Sequence, residues 1–169
     1  MTTDDTALPF KAISLFDRSR RASGLTTSRY PTDRIQIIPT FSLIWVCMTH
    51  DFAVWRRNED DWKTVMKGVR SILDTFRDYI NKDGLVEGPV GWNFMDWVKS
   101  WNRGIPPDGD YGVSCMINWL FVLALKAGAE LEEFSGETEL ASRNRKLAST
   151  LAVRIKEKFF DAERRLFAD

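Results

Sequence analysis

Two kinds of apolar segment alternate along this chain, and that alternation constrains its fold more than any other feature. From Phe41 to about Arg56 the residues are apolar nearly all round a helix: Phe41, Leu43, Ile44, Trp45, Val46, Cys47, Met48, Phe52, Ala53, Val54 and Trp55. The run is too long for an ordinary strand, and a helix apolar on every side is a buried one. Thr40 or Ser42 stands where a cap is needed.

The next segment differs. Trp62, Val65, Met66, Val69, Ile72, Leu73, Phe76, Tyr79 and Ile80 are spaced 3-1-3-3-1-3-3-1, a single stripe of a 3.6-residue period. Lys63, Lys67, Arg70, Asp74, Arg77 and Asp78 lie off that stripe. Asn58 to Asp61 offers a cap and an acidic first turn, and Asp83-Gly84 a stop. This helix has one wet face.

The pattern then repeats. Val113 to about Ala129 is apolar all round, Ser135-Gly136 turns the chain, and Leu140, Leu147, Leu151, Ile155 and Phe159 mark a second amphipathic helix. Ahead of both pairs, residues 8–21 read as a helix with Pro9 in its first turn and Leu8, Ala12, Leu15 and Phe16 on one face. A long loop from Leu25 to Pro39 follows it, where Tyr30-Pro31 and Ile38-Pro39 bias the backbone towards extended conformations.

Within each pair the connection is short, as between antiparallel neighbours, and between pairs it is long. The expectation is an all-α chain of about five helices: an inner ring walled in on both sides, an outer ring facing water, and the long loops at one end. That is the logic of an (α/α)6 barrel. An ordinary bundle has no need of the inner–outer alternation, and no repeat of fixed period marks a solenoid.

The segment Gly91-Trp92-Asn93-Phe94-Met95-Asp96-Trp97-Val98-Lys99-Ser100-Trp101 holds three of the seven tryptophans around one carboxylate. Gly84, Gly88 and Pro89 precede it and Gly104, Pro106, Pro107 and Gly109 follow, so it belongs to a loop. Loops carry function disproportionately. Indole faces beside a carboxylate suit a sugar ring, whose C–H groups stack while its hydroxyls hydrogen-bond. The competing reading is that the indoles fill the space where a long loop folds back on the helices.

Composition excludes several classes. Lys plus Arg and Asp plus Glu both number 24, so no overall field draws the chain to nucleic acid or an anionic membrane. The small clusters Arg18/Arg20/Arg21, Arg56/Arg57 and Arg164/Arg165 fall near expected helix ends, where cations suit the macrodipole. Nothing approaches the ~18 uninterrupted apolar residues of a membrane span. Met1 to Asp5 is acidic and polar rather than a signal peptide, which makes a cytoplasmic location the default expectation. Cys47 and Cys115 lie in apolar helical runs without metal-ligand spacing and read as buried free thiols. No metal cluster, phosphate loop or serine-nucleophile elbow is present, and no cofactor is expected.

Particular segments carry a resemblance. Ser28-Arg29-Tyr30-Pro31, then Gln36-Ile37-Ile38-Pro39-Thr40-Phe41-Ser42-Leu43 entering the first buried helix, resembles the bacterial α-L-rhamnosidases (glycoside hydrolase family 78-like). So does Trp92-Asn93-Phe94-Met95-Asp96-Trp97 followed by Gly104-Ile105-Pro106-Pro107. The segment Phe159 to Phe167 looks like the close of an outer helix of the same six-hairpin catalytic domain.

The resemblance implies that residues 1–169 form the middle section of one (α/α)6 catalytic domain, with long loops gathered at a sugar pocket. It implies an inverting hydrolysis of terminal α-L-rhamnosyl residues, in which one carboxylic acid protonates the leaving oxygen and a second carboxylate, about 6.5–9.5 Å away, activates water. The family's general-acid motif, of the Arg-Asp-Glu-Arg type upstream of a Gly-Trp-x-Gly-Asp turn, has no counterpart here, and the general base comes from a later hairpin. No catalytic residue is therefore assigned to this chain.

What the resemblance does assign is part of the substrate-binding wall. Asp96 is the carboxylate for sugar hydroxyls, Trp92 and Trp97 are stacking residues, and Trp101 is either a third or a packing residue. Tyr30 and Arg29 come from the preceding long loop, Arg29 with either Asp96 or a hydroxyl as partner. Asp96 has an alternative as the cap of a short turn around Val98. His50-Asp51 reads as a hydrogen-bonded histidine within the inner layer, Glu87 as a solvated loop acid, and Asp108/Asp110 as turn and cap residues. Two further functions stay open: a non-catalytic carbohydrate-binding remnant, and a helical interaction module that self-associates through exposed inner-helix surface.

Overall fold

A computed structural model describes residues 6–56 and 60–169. Helix α1 spans Ala7–Arg18, α2 Pro39–Trp55, α3 Met66–Asp78, α4 Cys115–Phe134 and α5 Thr138–Phe159. A 3-10 turn, Asp60–Val65, leads into α3, and a two-stranded antiparallel hairpin, β1 Phe160–Asp161 with β2 Leu166–Phe167, closes the described chain. The cap proposed at Asn58 and Glu59, and Arg57 of the basic cluster, lie outside the described residues.

The expected layering is present. Helix α4 packs on α5, α2 and α3, and α2 packs on α1 as well, so the two apolar helices form an inner layer and α1, α3 and α5 an outer one. The stripe on α3 is buried as its spacing predicts: Val69, Ile72, Leu73 and Phe76 are inaccessible, and Trp62 and Val65 of the 3-10 turn continue it. Each such side chain removed from water contributes about 1.5–3 kcal/mol.

Three helix faces differ from expectation. On α1 the buried line is Phe10, Ile13 and Phe16, while Leu8 is 73% exposed. The Ile13 carbonyl also accepts the indole N–H of Trp45 at 3.1 Å, which ties α1 to α2 at this point. On α5 the contact with α4 runs through Ala141, Asn144, Ala148, Leu151 and Ile155, with Leu140, Leu147 and Phe159 at its margins. Gly128 of α4 is needed against α3 rather than α5: a Cβ there would lie 2.6 Å from Leu73, and at an ordinary 3.5 Å from the Asn144 amide of α5. Helix α4 itself continues past Ala129 to Phe134 and buries a charge, Glu132, held bidentately by Arg70 of α3 at 2.8 and 2.7 Å.

The inner helices are not walled in on both sides. Ile44, Val54 and Trp55 of α2 and Met116 and Leu123 of α4 are exposed, on faces that no described element covers. The all-round apolar pattern therefore specifies more packing partners than the described residues supply. An apolar groove of about 210 Å³ runs along Phe16, Phe41, Ile44 and Met48, and another of about 540 Å³ along Met116, Trp119, Leu120 and Leu123. No described helix is long and apolar enough to cross a membrane.

The end of the chain also departs from the helical reading. Helix α5 stops at Phe159, and Phe160 pairs with Phe167 and Asp161 with Leu166. Asp161 Oδ1 accepts the backbone N–H of Glu163 and Arg164 at 2.9 Å, which fixes the turn and places Arg164 and Arg165 in it rather than at a helix end.

Candidate functional site

The two long connections, before α2 and before α4, meet at one end of the molecule, where the inner helices begin, and Asp169 reaches the same end. The loop between α1 and α2 is pinched by a Thr27–Ile37 bridge, with Ser28 N donating to Gln36 O and Ser28 Oγ to Gln36 Oε1, both at 2.9 Å. The tryptophan loop is stitched to it where Trp92 N donates to Ile37 O at 2.9 Å, and Thr40 Oγ1 donates to Phe94 O. The residues expected to cap α2 are thus spent on holding loops. Thr40 takes the tryptophan loop, and Ser42 Oγ accepts Thr26 N at 3.0 Å, leaving α2 to start at Pro39 without a side-chain cap.

A further contact comes from the residues after the hairpin. Asp169 accepts from Ser114 Oγ at 3.0 Å and from Cys115 N, so its carboxylate occupies the N-terminus of α4. A carboxylate there meets the unpaired N–H groups and the positive end of the helix dipole. Asp108 serves the turn as its sequence context predicts, at φ +54° with its carbonyl accepting Gly112 N at 3.0 Å, while the capping position is taken by Asp169.

Residues 92–105 form an Ω-shaped loop whose ends close on each other. Met95 N donates to Gly104 O at 2.9 Å, Asn102 bridges Ile105, and Trp92 Nε1 donates to Arg103 O at 3.0 Å. The rings of Trp92, Phe94 and Trp97 meet edge to face, with centroids 5.0–6.1 Å apart, and Phe94 in turn packs on Phe41 of α2 at 6.0 Å. Gly104 is required at φ +75°, because a Cβ there would lie 2.4 Å from the Phe94 ring. The Arg103 guanidinium covers the Trp92 ring at 5.6 Å. Asn118 of α4 fixes the start of the long connection: its amide bonds both the N–H and the carbonyl of Val86, at 2.8 and 2.9 Å.

This geometry brings some of the expected site residues together and separates others. Trp92 is half-buried as the base of the aromatic cluster, whereas Trp97 is 72% exposed. Asp96, between them and Trp101, is exposed; its Oδ1 accepts the Trp97 N–H at 2.7 Å and its carbonyl the Val98 N–H at 3.0 Å. The carboxylate therefore has one oxygen engaged in the turn and one facing outward. Trp92 and Trp97 touch edge to face with the exposed Asp96 on the same loop, and Trp101 lines two clefts that include none of these three residues. Tyr30 and Arg29 are exposed on the neighbouring loop, and Arg29 makes no ion pair with Asp96 among the described residues.

Several residues that shape this end carry no distinctive signal in sequence. Phe94, Arg103, Asn118 and Asp169 act through tertiary contacts, and Tyr111, 94% exposed in the turn before α4, has no helical spacing to betray it. His50 is held as expected, bonding Glu130 of α4 through Nε2 at 2.8 Å and stacking on Phe134. Glu87 is exposed and accepts from Asn81 Nδ2 at 3.1 Å. Burial is the main cause pushing the thiols of Cys47 and Cys115 up to about 11, with Asp51 and Asp169 respectively adding to it. Among the described residues no group of three or more His, Cys, Asp or Glu side chains is placed to hold a metal ion.

No family model matches the chain, and no curated protein matches it in sequence. Solved structures do. A GH78 family rhamnosidase of Bacillus sp. GL1 superposes with a TM-score of 0.84 at 25% identity over 98% of this chain. The chain has the fold of one section of a GH78 rhamnosidase. A rhamnosidase from Klebsiella oxytoca with rhamnose bound superposes with a TM-score of 0.74 at 17% identity over 95% of this chain, a likeness of fold alone. The chain spans 17% of the Bacillus structure and 32% of the Klebsiella one.

Proposed function

We propose that this chain is a section of a glycoside hydrolase whose whole catalytic domain, an (α/α)6 barrel, hydrolyses terminal α-L-rhamnosyl residues by an inverting acid/base mechanism. In that reading the section contributes part of the wall that binds the sugar and neither of the two carboxylates that act on the bond. The observation that carries it is the aromatic shelf: an exposed Trp97 indole beside an outward-facing Asp96 carboxylate, on a loop pinned where the long connections converge. The likeness to two rhamnosidases, one of them with rhamnose bound, supports the choice of sugar.

Each residue has a role that follows from its chemistry. Trp97 offers a flat apolar face to the ring C–H groups, with Trp92 and Phe94 holding it edge-on. Asp96 accepts from adjacent sugar hydroxyls through its outward oxygen. Trp101, Tyr30 and Arg29 line the approaches.

The test is tryptophan fluorescence of the chain titrated with L-rhamnose. The expected result is saturable quenching that is lost in Asp96→Ala and in Trp97→Ala, with no turnover of an aryl α-L-rhamnoside. Quenching that survives both substitutions would remove the shelf from the site, and clear turnover would show that the catalytic pair lies within the chain. A second reading, association through the inner layer, is favoured by the exposed Ile44, Val54, Trp55, Met116 and Leu123. It predicts self-association of the isolated chain rather than sugar binding.

A further inference from the structure

Each inner helix leaves one face uncovered. On α2 the open stripe is Ile44, Met48, Asp51 and Trp55, three or four residues apart, with Trp55 67% exposed. Val46, Thr49 and Ala53, half a turn round the same helix, are inaccessible. On α4 the open stripe is Met116, Trp119, Leu123 and Lys126, with Leu123 55% exposed. Half a turn round from it, Phe121 packs on Phe76 of α3 and Glu132 is held by Arg70 of α3. Because α2 and α4 both pack on α3, the two stripes face away from the outer layer on one side of the molecule. Contiguous apolar surface of this kind ordinarily marks an interaction site. Each stripe holds one charged residue, and the two are opposite in sign: Asp51, its side chain 72% exposed, and Lys126, also exposed.

We infer that a second copy of this chain covers both stripes at once, in a two-fold symmetric dimer that seats α2 of each copy on α4 of the other. The inference deepens the second reading above, association through the inner layer, and rests on it. A two-fold axis makes every contact twice, so one arrangement covers all four stripes. The charges select the pairing. Seating α2 on α2 sets two Asp51 carboxylates into a face whose stripe offers no cation, and α4 on α4 brings two Lys126 together; like charges across an interface cost affinity. Seating α2 on α4 gives each charge an opposite partner. The depths agree as well. Both helices begin at the loop end, and Asp51 stands twelve residues beyond Pro39 and Lys126 eleven beyond Cys115. At 1.5 Å per residue these are about 18 and 17 Å along the helices, so a parallel pairing puts the carboxylate within reach of a lysine side chain.

Sedimentation equilibrium of the chain, of Asp51→Lys, of Lys126→Glu and of the double variant tests the pairing. Asp51 also lies 3.5 Å from Nδ1 of its neighbour His50, so Lys126→Glu reads the contact between copies separately. The expected result is a species of twice the 19.5 kDa chain mass. Each single reversal should raise its dissociation constant about tenfold, and the double reversal should return it to within about threefold of the original. A dimer that neither single variant weakens overturns the pairing of α2 with α4 and leaves association through the inner layer standing. Single variants that weaken the dimer with no recovery in the double overturn the contact between Asp51 and Lys126. A mass that keeps rising with concentration overturns the closed dimer in favour of an open array. A chain that stays monomeric at every concentration overturns both the dimer and the reading it rests on.

Discussion

Replacing Arg70 by methionine tests the layering of the helices through the one charged side chain buried among the described residues. Glu132 is 1% exposed near the end of an inner helix, and both of its oxygens are bonded by Arg70 of the outer layer. The Glu132 carboxylate in turn raises the affinity of Arg70 for its proton, chiefly through those hydrogen bonds. Removing one partner of a buried pair leaves an uncompensated charge and costs about 3–5 kcal/mol. Arg70 is 36% exposed, so water reaches part of the site, and the lower end, about 3 kcal/mol, is expected for Arg70→Met. Urea unfolding followed by tryptophan fluorescence measures it. The double variant Arg70→Met/Glu132→Leu should recover most of the loss, since an apolar pair of similar volume needs no compensation. A single variant that loses less than about 1 kcal/mol, or a double variant as unstable as the single, would refute the claim that Glu132 is sealed between the layers.

Other outcomes follow from the same contacts. Gly104→Ala places a Cβ against Phe94 at a positive φ and should cost about 2 kcal/mol, with a red shift of tryptophan emission as the aromatic cluster opens; unchanged emission would contradict the packing. Asn118→Leu strands both backbone groups of Val86 and should cost about 2–4 kcal/mol by thermal or urea unfolding, whereas an exposed-site control such as Ser149→Ala should be nearly neutral. Because Cys47 and Cys115 titrate near 11 in the fold against about 8.5 in an unfolded chain, the thiols hold their protons more tightly when folded. Their contribution to stability is therefore constant below about 8.5 and lost as the pH rises towards 11, and alkylation by iodoacetamide at mildly alkaline pH should be slow until denaturant is added. Ile44→Lys with Leu123→Lys should increase the monomer fraction in analytical ultracentrifugation, and no change would mean that these faces do not mediate association.

The helical frame was legible because burial leaves a periodic trace. The α3 stripe from Trp62 to Phe76 matches the core residue by residue. Where the trace failed, small or polar residues had replaced large apolar ones. The α4–α5 seam uses Ala141 and Ala148 and the α3–α4 seam Gly128, which carry little hydrophobic weight, and Glu132 is buried where Arg70 meets it from another helix. The loops obey a different rule. Thr40 and Ser42 have the composition of caps, yet each finds a better partner across a tertiary contact, in Phe94 O and in Thr26 N. The tryptophan segment stood out by composition, but which indole faces outward depends on Gly104, Phe94 and Arg103 closing the loop around Trp92. No spacing in the sequence encodes that closure.

If the loop end of this chain is a wall of a sugar site, a crystal structure of the chain grown with L-rhamnose will show a pyranose ring stacked on Trp97 with a hydroxyl on the Asp96 carboxylate. A ring bound elsewhere, or an empty shelf with the Trp97 indole turned in among the helices, would contradict it.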